Sequence, residues 1–176
     1  VEARGGDYIF MNGTDIDIDG FYLQGNYSFQ DVKNAVIRNA KLDSKDAFWK
    51  TENVTIYDSE INGEYLGWYS KNLKLVNCKI SGTQPLCYCT NLIMENCTMA
   101  EDCDLSFEDS ILEAVINGKI TSIKNPAGGY IMADSIGEII IDENIKNPGA
   151  CKIRKRKNIC CLIIDSKQVK GVTGVN

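Results

Sequence analysis

The chain has 176 residues, of which 44% are hydrophobic, and a formal net charge of −5. This hydrophobic content suffices for one folded domain and excludes a disordered tail, and no apolar run reaches the roughly 18 residues of a membrane span. The absence of histidine excludes Ser-His-Asp and Cys-His catalysis as well as histidine metal sites.

Charge is distributed unevenly along the chain: residues 1–150 carry −11 and residues 151–176 carry +6. An acidic body disfavours binding to phosphate backbones, so we expect no nucleic-acid partner. The basic cluster at 152–157 is interpreted as a segment that docks on the acidic body or extends from it. A polyanion-binding role for this cluster stays open as an alternative.

The first strand-like segment opens a repeat of 19 residues. Its five copies read TDIDIDGFYLQG, KNAVIRNAKLDS, ENVTIYDSEING, KNLKLVNCKISG and TNLIMENCTMAE. The second residues of these copies form what we call the anchor column: Asp15, Asn34, Asn53, Asn72 and Asn91. The regular spacing predicts stacked, equivalent units.

Apolar residues alternate with polar ones within each copy, which indicates strands. The column three residues after the anchor contains Ile18, Ile37, Ile56, Leu75 and Met94. The column eight residues after it contains Leu23, Leu42, Ile61, Ile80 and Met99. This pattern predicts an all-β, single-stranded right-handed parallel β-helix (a β-solenoid) with rungs of 19 residues; it fits neither leucine-rich nor hexapeptide nor helical repeats.

Charged columns provide an independent check, because equivalent residues of stacked rungs lie about 4.8 Å apart and like charges there would repel. The column before the anchor reads Thr14, Lys33, Glu52, Lys71 and Thr90. The column seven after it reads Tyr22, Lys41, Glu60, Lys79 and Thr98. Neighbouring charges have opposite signs throughout, which favours in-register stacking.

After Met99 the repeat loosens, and residues 111–120 and 135–142 are predicted to form further rungs. The turn Asn147-Pro148-Gly149 is predicted to end the regular body. The domain prediction is therefore a β-helix at 1–150 and a basic tail or cap at 151–176, within which the apolar run 160–165 is one more strand or a cap.

The segments DAFW, YLGWYSKN and KNPAGGYIMADSIGEIII, with the strand pattern K-N-x-x-[IL]-x-[ND]-[ACS], make the chain similar to a known family. It resembles a bacterial family of right-handed β-helices called domain of unknown function 3737, within the pectin-lyase-like superfamily. The resemblance covers roughly residues 7–148. It implies further rungs upstream, so that this chain would be a C-terminal portion, and it implies no reaction.

One candidate site combines carboxylates with aromatic residues. Asp46 and Glu64 lie on adjacent rungs, and β-helix polysaccharide hydrolases use two carboxylates, which makes this pair the catalytic candidate. Beside it, Trp49 shares a column with Trp68, and Tyr69 shares the next column with Tyr88, so a glycan-binding face is the ligand-binding candidate. The alternative is that the carboxylates form surface ion pairs and the aromatic rings pack a corner.

Metal sites are not expected. The run Asp15-Ile16-Asp17-Ile18-Asp19-Gly20 matches the opening of an EF-hand loop, but Asn26 stands where the bidentate glutamate belongs. The eight cysteines lack zinc or redox spacing, and Cys78 and Cys97 share an inward column with small residues. We therefore expect no cofactor, reduced thiols and a cytoplasmic location.

Two functional classes follow from the sequence. The preferred prediction is a non-catalytic solenoid that serves as a binding or scaffold surface for a glycan or another protein. The alternative is a carbohydrate-active enzyme, a hydrolase or lyase of pectin-lyase-like type.

Overall fold

Residues 1–156 are described by the computed structural model, and they contain thirteen β-strands. The strands are β1 (Glu2–Arg4), β2 (Thr14–Asp19), β3 (Tyr22–Gln24), β4 (Lys33–Arg38), β5 (Lys41–Asp43), β6 (Glu52–Tyr57), β7 (Glu60–Asn62), β8 (Lys71–Val76), β9 (Lys79–Ser81), β10 (Leu92–Met99), β11 (Ile111–Lys124), β12 (Gly128–Ile140) and β13 (Cys151–Lys155). All pairings between them are parallel, so the chain is a parallel β-solenoid as predicted.

The strands form two faces. Face A consists of the three-residue strands β1, β3, β5, β7 and β9, and face B of the longer strands β2, β4, β6 and β8. Strand β10 pairs with both β8 and β9, and β11, β12 and β13 follow it in order. Each rung therefore contributes one strand to each face, and successive rungs stack along one axis.

The core lies between the faces and is filled by the apolar columns of the repeat. Ile37, Ile56 and Leu75 are paired in register on face B and fully buried. Leu42 and Ile61 are paired on face A, and each is only 1% exposed. Because alternate residues of a strand point to opposite sides, the polar positions between them remain on the surface. The predicted inward columns are confirmed.

A third side joins face A to face B of the next rung and consists of turns. On it, alternate residues have positive φ, for example Asp46 at 54°, Phe48 at 60° and Lys50 at 55°. The backbone amides of these residues reach both neighbouring rungs: Phe48 N donates to Ser28 O over 2.9 Å and Lys50 N to Trp68 O over 2.8 Å. The interlocking of adjacent rungs holds non-glycine residues in this rarely occupied conformation.

The anchor column forms a ladder of side-chain hydrogen bonds at one corner of the solenoid. In the anchor column, the amide of Asn72 donates to Asn53 over 2.8 Å and that of Asn91 donates to Asn72 over 2.7 Å. Anchor residues have φ near 55°, a conformation that Asn tolerates well. Opposite charges also meet between rungs, as in Lys33–Glu52 at 3.9 Å and Lys45–Glu64 at 3.7 Å.

Three details differ from the sequence prediction or extend it. Arg38 is the register partner of Asp19, but its guanidinium pairs with Asp17 over 2.6 Å, while Asp19 accepts a hydrogen bond from Asn39. Strand β13 extends the parallel sheet beyond residue 150, so regular structure continues past the predicted turn. The predicted strand or cap at 160–165 lies outside the described residues.

Candidate functional site

The carboxylate pair lies on the third side. The backbone N–H of Asp46 donates to the carbonyl oxygen of Glu64 over 2.9 Å, so the two residues are direct neighbours across a rung boundary. Asp46 is 91% buried, and its Oδ1 has no hydrogen-bond partner. Glu64 is exposed and pairs with Lys45. The two carboxyl groups therefore stand in very different surroundings.

Burial raises the pKa of the Asp46 carboxyl above its ordinary value of 3.8. The positive charge of Lys45 opposes this shift, and the negative charge of Glu64 adds to it. A carboxyl group with a raised pKa beside a second carboxyl group is the arrangement that acid–base catalysis uses. However, the cavity of about 380 Å³ beside Glu64 is lined by Lys45, Asn62 and Thr83 among others, and Asp46 is not part of its wall.

The four predicted aromatic residues are brought together. Trp49 stacks on Trp68 with ring centroids 5.2 Å apart, and Tyr69 stacks on Tyr88 with centroids 4.9 Å apart. The two columns meet edge to face, as between Trp68 and Tyr88 at 5.1 Å. Because neighbouring rungs stack face to face, the inner rings present mainly their edges to solvent. A sugar ring that stacks on an aromatic residue needs an open ring face instead.

The indole N–H groups are occupied within the protein. Trp49 Nε1 donates to the carbonyl of Tyr65 over 2.7 Å, and Trp68 Nε1 donates to that of Gln84 over 2.8 Å. In the preceding rung Gln30 makes the equivalent bond to the carbonyl of Asp46. This repeated bond ties each rung to the next and gives the tryptophans a structural role.

Other parts of the aromatic surface stay accessible. Tyr69 is 48% exposed. Tyr88 is less accessible, and its burial together with the charge of Glu108 raises its pKa to about 12. Tyr65 belongs to the same cluster, edge-on to Trp68 at 5.2 Å, and was missed by the sequence reasoning. Its column already contained Tyr8 and Tyr27, and that signal could have identified it.

A groove on face A was also missed. It encloses about 440 Å³ and follows β5, β7 and β9 along the solenoid axis. One wall is the charged column, where Glu60 lies 4.0 Å from Lys41 and 3.5 Å from Lys79. The other wall is a second polar ladder, in which Asn62 donates to Asp43 over 3.1 Å and accepts from Ser81 over 2.7 Å. In the sequence, these columns indicated only that the rungs stack in register.

The cysteines of the described residues are packing residues. Cys78, Cys87, Cys89, Cys97 and Cys103 are buried, and their thiols contact backbone carbonyls, as between Cys89 and Gly67 at 3.2 Å. Burial raises the pKa of Cys89 and of Cys103 to about 12, which keeps these groups protonated and unreactive. Within residues 1–156, no group of three or more Asp, Glu or Cys side chains could hold a metal ion.

Comparison with known protein families places the chain beside a described family. The profile of the family described as "Protein of unknown function (DUF3737)" matches residues 1–154. No curated protein matches the chain, and no solved structure matches it. In residues 1–156, no helix is long and apolar enough to cross a membrane.

Proposed function

The chain belongs to the DUF3737 family of proteins of unknown function, which supplies no reaction, and we propose from its surface that it is a non-catalytic binding solenoid. The groove on face A carries this proposal. It is formed by outward side chains of consecutive rungs and runs along the axis. A ligand in it would meet a new pair of polar side chains about every 4.8 Å. This repetition suits an extended polymer.

The chemistry of the groove favours a glycan as that polymer. Asp43, Asn62 and Ser81 offer carboxylate, amide and hydroxyl groups, which exchange hydrogen bonds with sugar hydroxyls. On the opposite wall the lysines already pair with Glu60, so the groove has no uncompensated positive row for a polyanion. We therefore propose a neutral, hydroxyl-rich polysaccharide rather than a polyuronate.

Binding of the whole chain to an array of neutral and uronic-acid polysaccharides tests the proposal. We expect Glu60→Ala to weaken binding by about tenfold, because the residue orders both lysines of the groove. Glu113→Ala is the matched control, since Glu113 is an exposed glutamate on face B with no ion pair within residues 1–156. If Trp68→Ala weakens binding and Glu60→Ala does not, the binding site lies on the aromatic surface. If the chain binds no polysaccharide of the array, the glycan proposal is contradicted.

The second candidate is a carbohydrate-active enzyme of pectin-lyase-like type, and the raised pKa of Asp46 beside Glu64 favours it. In that case Asp46 would act as general acid and Glu64 as the second carboxylate. Asp46→Asn and Glu64→Gln should then abolish release of reducing sugar while polysaccharide binding persists. Absence of turnover in the wild-type chain, on polysaccharides that it binds, would contradict this candidate.

A cytoplasmic location is also proposed, from the cysteines. Cys78 and Cys97 occupy neighbouring positions in the core as thiols, and an oxidising compartment would favour bridges between such neighbours. Protein that is denatured directly from cells in the presence of an alkylating reagent should show all eight cysteines modified. A disulfide-linked peptide in the same sample would contradict the proposal.

A further inference from the structure

Strand β11 contains a β-bulge where it pairs with β12. The pairing register shifts between Ile116 and Lys119. Across this shift, Asn117 and Gly118 together oppose a single residue, Asp134. Gly118 has a φ of +83°, and a Cβ atom there would have no other atom within 4 Å. Bulges of this kind re-aim side chains and are frequent next to active sites. The backbone at this position is therefore less confined than in the regular rungs.

The bulge lies on a polar ladder at a corner of the solenoid. In this ladder the side-chain amide of Asn77 donates to Asp58 over 2.9 Å, and that of Asn96 donates to Asn77 over 2.7 Å. Asn117 continues the ladder by donating its amide to Asn96. Each amide thus gives an N–H to the preceding rung and offers its oxygen to the following one. The next residue of the column is Asp134, and a carboxylate has no hydrogen to donate.

This change of residue type brings two charged groups onto the Asn117-Gly118 step. Asp134 accepts a hydrogen bond from the backbone N–H of Gly118, with N and Oδ2 2.6 Å apart. Arg156 supplies the missing donor, since its Nη2 donates to Oδ1 of Asn117 over 3.2 Å. The Nε of the same guanidinium lies 3.5 Å from Oδ1 of Asp134, and the backbone N–H of Arg156 donates to the carbonyl of Ala133. Both charged groups are therefore fixed in place.

The chemistry of an Asn-Gly step gives this arrangement a meaning. The backbone nitrogen of the glycine can attack Cγ of the preceding asparagine, because glycine has no Cβ to hinder the approach. The attack needs a base that takes the proton from the nitrogen, and a positive group that stabilises the charge developing on the side-chain oxygen. Asp134 contacts the proton on Gly118, and Arg156 contacts the oxygen of Asn117. Each requirement is therefore met by a group already in contact with the reacting atom.

We propose that Asn117-Gly118 is a self-modification site, at which the chain deamidates its own Asn117. The nitrogen of Gly118 transfers its proton to Asp134 and bonds to Cγ of Asn117. The bond between Cγ and Nδ2 breaks, and Nδ2 leaves with the electron pair, takes up that proton and departs as ammonia. Water then opens the cyclic imide: its hydroxyl adds to one of the two carbonyl carbons, and its other proton returns to the nitrogen. The product has an aspartate or an isoaspartate in place of Asn117.

The chain contains an internal comparison at Asn62-Gly63. The amide of Asn62 donates to Asp43 over 3.1 Å, so this residue also belongs to a polar ladder. However, the N–H of Gly63 donates to the backbone carbonyl of Ser81 over 3.0 Å, and a neutral carbonyl is not a base for this proton. A Cβ atom at Gly63 would also lie 2.1 Å from the carbonyl oxygen of Ser44, so the backbone there is confined. The same dipeptide therefore occurs without the groups that the reaction needs.

Peptide mapping by mass spectrometry, after incubation of the folded full chain at neutral pH, tests the proposal. We expect the amide of Asn117 to be replaced by an acid at least about tenfold faster than that of Asn62. Complete conversion of Asn117 in freshly purified protein, with Asn62 intact, is the same result. In the urea-denatured chain both steps lose their surroundings, so the two rates should become similar. If Asn117 reacts no faster than Asn62 in the folded chain, the proposal is overturned.

Variants of the charged groups identify their roles. Asp134→Asn removes the base and should slow the reaction of Asn117 at least about tenfold, while the new amide can donate to Asn117 and continue the ladder. Arg156→Ala should slow the reaction as well, because the developing charge loses its partner. Asp58→Asn is the matched control, since it makes the same change in the same ladder away from the reacting atoms, and its rate should equal that of the wild type.

These residues do not line the groove on face A, so this test and the glycan test can fail independently. An unchanged rate in Asp134→Asn, or an equal slowing in Asp58→Asn, overturns the proposal.

Discussion

At the scale of single residues, Gly82 shows how closely adjacent rungs approach. A Cβ atom at this position would lie 2.2 Å from the carbonyl oxygen of Gly63, and its φ of +113° is one that residues with side chains rarely adopt. The same relation recurs one rung earlier, where a Cβ at Gly63 would lie 2.1 Å from the carbonyl of Ser44. Glycine at these turns is required by the spacing of the backbones.

We therefore predict that Gly82→Ala lowers the free energy of unfolding by about 2–4 kcal/mol, because backbone atoms must move apart to admit the methyl group. The matched control is Gly118→Ala, where φ is +83° but no atom lies within 4 Å of the added Cβ. The control should lose only about 1 kcal/mol from conformational strain. Urea denaturation measures both values, and equal losses would contradict the close-contact explanation.

Asp46 leads to a prediction about pH. Its pKa is higher in the folded protein than the ordinary value of 3.8, so ionisation of the carboxyl opposes folding. Stability contributed by the protonated form is present below that ordinary value and is lost as the pH rises through the folded pKa. Asp46→Asn, which keeps the shape and tolerates positive φ, should therefore be more stable than the wild type at neutral pH.

The stability difference should shrink towards zero near pH 3, where the wild-type carboxyl is protonated in both the folded and the unfolded state. Thermal unfolding of both proteins between about pH 3 and pH 7 tests this expectation. A variant that is less stable than the wild type at pH 7 would show that the Asp46 carboxylate is held by a favourable contact.

The sequence placed Asp46 in its column but could not predict its burial. The column contains Tyr8, Tyr27 and Tyr65, and whether a short carboxyl between such rings reaches solvent depends on turn geometry. That geometry uses alternating positive φ at residues such as Phe48, for which the sequence has no glycine or asparagine signal. Tertiary packing, not local preference, decides the conformation there.

At the scale of elements, the aromatic columns hold adjacent rungs together by ring contacts and hydrogen bonds. Trp68 stacks on Trp49, contacts Tyr88 edge to face and donates its indole N–H to Gln84. The sequence predicted which residues share a column because that follows from the 19-residue period. It could not predict whether ring faces or edges point outward, because this depends on side-chain torsion angles.

Replacement of the indole separates stacking from hydrogen bonding. Trp68→Phe keeps an aromatic ring but leaves the Gln84 carbonyl without its donor, so we expect a loss of about 1 kcal/mol. Trp68→Ala also removes the stacking and should cost about 2–4 kcal/mol. Trp49→Phe should lose a similar amount, since Trp49 makes the equivalent bond to Tyr65.

Equilibrium urea unfolding gives these values. Unchanged stability in Trp68→Phe would mean that the indole N–H contributes nothing to folding. In that case we would assign the indole N–H of Trp68 to ligand binding, and the aromatic surface would replace the groove as the preferred binding site.

The strands themselves were predictable where the period holds and not where it changes. The pairings among β2 to β9 all join residues 19 apart, whereas those of β1 with β3 join residues 20 apart. Beyond them Leu92 pairs with Leu112, and register shifts occur between Met94 and Cys97 and between Ile116 and Lys119. An inserted residue leaves the apolar pattern of each strand intact but changes which residue of the next strand each position pairs with. Sequence columns therefore identify β11 and β12 as strands without fixing how they align.

At the scale of the whole molecule, the contacts between strands of residues 1–156 join neighbouring rungs. The face B strands β4, β6 and β8 each contact the strands of the rungs before and after them, as in the pairs β4 with β6 and β6 with β8. Stability in such a protein is a sum over units and their nearest-neighbour interfaces. Within residues 1–156, the outermost strands of face B have one such interface each, whereas the central strands have two.

Hydrogen exchange should follow this arrangement. We predict the slowest amide exchange in β6 and β8, which are flanked on both sides, and the fastest in β1 and β2. Exchange followed by mass spectrometry of peptides resolves these segments. Uniform protection along residues 1–156 would show instead that the rungs open only together.

The alternating charge columns also limit how a chain of this kind can change in length. Loss of one 19-residue unit, such as 46–64, would keep every apolar column in register but would bring Lys33 next to Lys71 and Lys41 next to Lys79. Loss of 46–83, two units, would instead bring Lys33 next to Thr90 and Lys41 next to Thr98. The apolar core therefore tolerates the loss of any whole number of rungs, but the alternating charged columns tolerate only the loss of an even number. Related chains that differ by an even number of units keep columns without like-charge neighbours. Those that differ by an odd number need a compensating charge substitution.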